Sequence, residues 1–119
     1  MTLYEILGEP TIKELVKRFY DRVSQDEKIN HLFQNDIEII KDKQFRFLCQ
    51  FLGGPQYYIE KYGHPRMRMR HIPHRITSEG KDTWLACMKH AIDSLELGEN
   101  LSKALYDSFP KIAQHMVNS

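Results

Sequence analysis

The sequence predicts an all-α chain, on three observations. Four segments repeat apolar residues at helical spacing, no segment alternates apolar with polar residues through a β-branched run, and no hairpin signal or internal repeat interrupts them. Its 119 residues suit one hydrophobic core, so a single domain over 1–119 is expected.

The first helix is expected over 11–25. Ile12, Leu15, Val16, Phe19 and Val23 fall on one face, and Thr11 with Glu14 has capping-box spacing behind Pro10. Tyr20 shares that inner face. It is either a core tyrosine with its hydroxyl at the edge or a phenol aimed into a polar pocket. Residues 26–36 read as a helical turn or two and a corner.

The second helix carries Ile37, Ile40, Gln44, Phe47, Leu48 and Phe51 in a stripe interrupted by one amide. A buried Gln44 amide needs partners, so it stands at the margin of the stripe or binds something. Gly53, Gly54 and Pro55 stop this helix, and 56–65 reads as a tyrosine-rich loop. From Thr77 or Ser78 a third helix is expected to about Leu97, with Trp84, Met88, Ala91, Ile92 and Leu95 on one face and Gly98 closing it. Gly80 weakens its start. The last helix is expected over about 100–117, kinked at Pro110.

Composition narrows the function. Seventeen Lys and Arg against sixteen Asp and Glu leave a net charge of +1, which disfavours general nucleic-acid binding. Cys49 and Cys87 have no CxxC spacing and read as reduced core residues of a cytosolic protein. The sequence has no apolar run long enough to span a bilayer and no leader-like start, so a cytoplasmic location without membrane association is expected.

One segment is unusual. GHPRMRMRHIPHRI, residues 63–76, holds four arginines and three histidines. As a strand it would have no sheet to join. As a helix between Pro65 and Pro73 it makes two turns, with Met67 and His71 on one face and the arginines fanned toward solvent. His71 is then a structural histidine, a zinc ligand with His64 and His74, or the sole protein ligand of a haem. Zinc lacks a fourth ligand at a usual spacing. Haem needs an axial imidazole, an apolar slot and cations for its propionates, and the chain supplies each. An Arg-rich nucleic-acid-binding module using Arg66, Arg68, Arg70 and Arg75 is the alternative.

With FY at 19–20, HLF at 31–33, KDKQFRFLCQFLGGP at 41–55, YGHPRMRMRHIPHRIT at 62–77, DTWLACM at 82–88 and HMVNS at 115–119, the chain resembles the group II truncated haemoglobins of bacteria. The resemblance implies a two-over-two helical sandwich around haem b. It implies His71 as proximal iron ligand, Tyr20, Gln44 and Trp84 as distal donors, and Arg70 with Tyr58 at a propionate. Phe33, Ile40, Leu48, Met67 and Met88 would line the pocket. His74 stands where relatives usually carry an aromatic residue, and Phe33 lacks the hydroxyl of members with tyrosine there. Implied ligands are O2 and other small molecules such as NO, peroxide or sulfide, with a reductase as partner and a monomer or homodimer as the assembly. Haem-dependent peroxidase or dioxygenase-type chemistry stays open.

Overall fold

The structure, a computed structural model, describes residues 1–25, 37–63 and 77–115. All regular structure among them is helical: α1 (Leu3–Leu7), α2 (Glu9–Val23), α3 (Ile37–Phe51), α4 (Tyr57–Tyr62), α5 (Ser78–Ser94), α6 (Glu99–Tyr106) and α7 (Pro110–His115). Helix α2 packs on both α3 and α5, and α5 packs on α6 and α7. The result is two layers, α2 with α3 against α5 with α6 and α7.

The apolar period of α2 explains its central place. Ile12, Leu15, Val16, Phe19, Tyr20 and Val23 are all buried along one face. Each such side chain taken fully out of water stabilises the fold by about 1.5–3 kcal/mol before entropy is counted. Leu48, Met88, Ile92 and Leu105 meet them from the other helices, and Phe109 from the turn before α7. Cys49 and Cys87 are buried free thiols, as the spacing implied, and burial pushes the Cys49 thiol up to about 11.

Several element ends differ from expectation. Helix α2 begins at Glu9 rather than Thr11, with Gly8 as its N-cap and Pro10 in the first turn. The proline lacks only a donor that the first turn leaves unused. The capping box belongs to α1, where Thr2 Oγ1 accepts from the Glu5 N–H at 3.1 Å and Glu5 Oε1 accepts from the Thr2 N–H at 3.0 Å. Glu14 instead binds Arg18 at 2.9 Å.

Residues 57–62 form a helix, not a loop. The Gln50 side chain accepts from the Ile59 N–H at 3.2 Å, satisfying a first-turn donor that a short helix leaves open. Helix α5 ends at Ser94, short of Leu97, and Gly98 caps the start of α6 rather than closing α5. Pro110 does not kink one long helix. It opens α7 after a turn at 107–109, where a proline is best tolerated.

Gly53 and Gly54 do more than stop α3. A Cβ on Gly53 would lie 2.7 Å from Thr2, and one on Gly54 would lie 2.5 Å from the Tyr4 ring. Their bare backbone lets α1 seat on the end of α3, where the Tyr4 N–H donates to the Leu52 carbonyl at 3.0 Å.

Candidate functional site

Tyr20 sits on the inward face of α2 and is 4% exposed. Burial pushes its phenol well above the ordinary tyrosine range, so the hydroxyl keeps its proton at any ordinary pH. Its ring meets Phe19 edge-on at 5.0 Å. Phe19 in turn meets Trp84 of α5 at 5.2 Å, and Trp84 reaches Phe109 at 5.9 Å. One buried phenyl ring therefore joins the tyrosine of α2 to the indole of α5. The indole N–H can only donate.

Ile40, Gln44 and Leu48 follow one another at four-residue spacing along α3, which puts them on one face. Leu48 is fully buried, while Ile40 and Gln44 are half-buried. Met88, one turn beyond Trp84 on α5, is fully buried. Tyr58 of α4 is buried and meets Phe47 edge-on at 6.1 Å, and Phe47 stacks on Phe51 at 5.5 Å. Of the residues expected in the site, Tyr20, Ile40, Gln44, Leu48, Tyr58, Trp84 and Met88 are thus placed. Phe33, Met67, Arg70 and His71 lie outside the described residues, as do His64, His74, Arg66, Arg68 and Arg75.

These residues fit a haem. A porphyrin needs broad apolar surface with donors on one side, and Ile37, Ile40, Phe47 and Phe51 of α3 and Trp84 of α5 are apolar side chains only partly covered by protein. Phenol, amide and indole are neutral donors, suited to a ligand that gains negative charge without displacing it from the iron.

A groove of about 820 Å³ opens over α2 and α3, lined by acidic residues such as Glu9, Glu14 and Glu38 and basic ones such as Lys13, Lys41 and Arg46, together with Val16 and Phe45. None of the site residues lines it. Its lining is mostly charged.

Sequence spacing did not find the polar contacts that hold α4. Asp42 of α3 accepts from Tyr62 Oη at 2.6 Å, Lys61 Nζ at 3.0 Å and Arg46 Nε at 3.0 Å. The Tyr62 hydrogen bond leads the causes that hold the Asp42 carboxyl down at about 2. At the other end of α4, Glu9 accepts from both Tyr4 and Tyr57, the latter at 2.7 Å. Only the Arg46 contact, four residues from Asp42, had a signal in the sequence.

Three comparisons bear on this arrangement. The family described as bacterial-like globin matches residues 2–118. A group 2 truncated haemoglobin of Bacillus subtilis is 42% identical over 115 residues, which is 97% of this chain and 87% of the relative. Among solved structures, a truncated oxygen-avid haemoglobin from Bacillus subtilis superposes with a TM-score of 0.94 at 41% identity, covering 99% of this chain and 100% of that one. A haemoglobin from Chloroflexus aurantiacus gives 0.93 at 40% identity, over 100% and 99% of the two chains.

Proposed function

This chain belongs to the bacterial-like globin family, and from that premise we propose that it captures oxygen and holds it, with Tyr20, Gln44 and Trp84 as the groups that slow its release. Haem is the cofactor, and haem-based binding of small gaseous ligands is the activity that membership carries. The nucleic-acid alternative is left without support.

When bound, haem would supply an iron able to take a small ligand. The protein's residues do the rest. His71 would be the protein ligand to the iron, Arg70 and Tyr58 would hold the propionates, and Phe33, Ile40, Leu48, Met67 and Met88 would line the pocket. Oxygen draws electron density when it binds, so a donor aimed at it from a buried position stabilises it by about 1–3 kcal/mol. Two such donors slow release by orders of magnitude, since about 1.4 kcal/mol is a factor of ten. Slow release suits capture, sensing or redox conversion better than transport.

The observation that carries this proposal is the buried Tyr20 phenol, kept protonated by desolvation and joined through Phe19 to Trp84. A visible spectrum of the protein with haemin tests the cofactor, and a colourless protein that takes up no haemin ends the proposal. Stopped-flow release from the oxygenated protein tests the donors. Trp84→Phe keeps a ring but removes the N–H, and release is expected to speed up about tenfold or more. An unchanged rate removes Trp84 from the mechanism.

A further inference from the structure

We propose that Tyr62 is the exit of an aromatic electron-transfer row, the surface phenol at which a small one-electron donor refills an oxidising equivalent left at the haem by hydrogen peroxide. The proposal rests on haem lying beside Tyr58, as proposed above.

The row is continuous. From Tyr20 it passes to Phe19 at 5.0 Å, Trp84 at 5.2 Å, Phe109 at 5.9 Å, Phe51 at 5.9 Å, Phe47 at 5.5 Å, Tyr58 at 6.1 Å and Tyr62 at 5.2 Å between ring centroids. Electron tunnelling falls off exponentially with distance, so rings in contact carry charge where an open gap would not. Tyrosine and tryptophan can hold the oxidising equivalent. Phenylalanine oxidises too reluctantly to hold it and only narrows the gaps. From a haem beside Tyr58, the ring contacts would lead to the surface through Tyr58 and then Tyr62.

The end of the row is built for loss of a proton. A phenol that gives up an electron becomes a strong acid, and Asp42 Oδ2 lies 2.6 Å from the Tyr62 hydroxyl, a charge-assisted hydrogen bond in place to receive that proton. Lys43 and Lys61 each hold an ammonium 5.3 Å from the Tyr62 ring centre. They make a positive ring costly, so proton and electron must leave together. Asp42 is about a third exposed and passes the proton on to water.

The electrons balance as follows. Reducing one hydrogen peroxide to two waters breaks its O–O bond and takes two electrons and two protons, the second water forming only when the last electron arrives; haem would supply the site for that cleavage. Of the two oxidising equivalents, one would stay at the haem and one would pass to Tyr62, whose proton goes to Asp42. An enediol or hydroquinone then returns a hydrogen atom to the Tyr62 oxygen, and a second returns an electron and a proton for the iron. The sum is one peroxide and two hydrogen-atom donors giving two waters and two donor radicals.

Tyr57 is the built-in control. Its hydroxyl also donates to a carboxylate, Glu9 at 2.7 Å, yet among the described residues no ring contact joins it to the row. Haem-loaded protein is treated with one equivalent of hydrogen peroxide and read by electron paramagnetic resonance and by peptide mapping of oxidised tyrosines. The unaltered protein should give a tyrosyl radical and modification at Tyr62. Tyr62→Phe keeps the ring and should lose both. Asp42→Asn removes the proton acceptor and should lower the radical yield with Tyr62 still present, whereas Tyr57→Phe should change neither. A radical that persists in Tyr62→Phe, modification mapping to Tyr4 or Tyr57, or an unchanged yield in Asp42→Asn overturns the proposal. The Soret band of each sample separates the two ideas: protein without haem overturns the function proposed above, while haem-loaded protein without a Tyr62 radical overturns this one alone.

Discussion

Helices α2 and α3 have the same length, 15 residues each, and comparable apolar faces, yet they are covered differently. Six residues of α2 are buried, while α3 buries only Leu48 and Cys49 and leaves Ile37, Ile40, Gln44, Phe47 and Phe51 half-covered. Helix α2 lies against α3 on one side and α5 on the other, so protein meets its whole stripe. The stripe of α3 meets α2 and α4 but, among the described residues, makes little contact with α5. One helix is finished by the polypeptide. The other presents apolar surface suited to a flat, non-protein partner.

A pair of truncations would break this contrast if it is wrong. Ile12 on α2 is fully buried and is not one of the site residues. Ile12→Ala should cost about 2–5 kcal/mol of stability, because a closed core relaxes poorly into the space left, while haemin affinity stays near its original value. Phe47→Ala should reverse the pattern, weakening haemin binding by about tenfold or more with a smaller loss of stability in the haem-free protein. Urea unfolding and haemin transfer to an acceptor globin measure the two quantities. Equal effects of Phe47→Ala on both would show that protein, not haem, completes α3.

The same contrast explains what was legible in the sequence. The face of α2 was readable because burial by protein imposes an uninterrupted apolar period, and Tyr20 was located on it by that period. Gln44 was readable as an anomaly, since an amide within an apolar stripe needs a reason. Helix α4 was not readable: six residues with three tyrosines give too little period, and its ties to Asp42 and Glu9 reach across 19 residues or more. Nor does Pro110 announce whether it kinks a helix or starts one, because its fixed φ suits either. The resemblance named His71, Arg70, Met67 and Phe33, which lie outside the described residues.

A smaller effect is expected where α4 is tied to α3. The folded Asp42 carboxyl is lowered to about 2 by its bonds to Tyr62, Lys61 and Arg46, against about 3.9 for an unperturbed aspartate. A lowered acid contributes stability that is present above the unfolded value and is lost as pH falls through the folded one, here between about pH 4 and 2. Asp42→Asn should therefore lower stability at neutral pH by about 1 kcal/mol, discounted because the carboxylate is a third exposed. Its unfolding midpoint should also fall less steeply than that of the parent protein across that acid window. A parallel pair of acid curves would assign no stability to the cluster.

The smallest effect separates burial from capping as the cause of α2. Thr11 has the spacing of a cap but lies inside the helix, and Glu14, its expected partner, is held by Arg18 at 2.9 Å. Thr11→Ala should then change the unfolding midpoint by no more than about 0.5 kcal/mol, within the range of surface substitutions. Thr2→Ala removes a capping bond that exists, to the Glu5 N–H, and should cost about 0.5–2 kcal/mol. The Thr2 side chain also fills the contact with Gly53, so its loss should loosen α1 from the end of α3. A larger loss from Thr11→Ala than from Thr2→Ala would mean that the start of α2 is fixed by its own cap and not by Gly8, Pro10 and the buried stripe behind them.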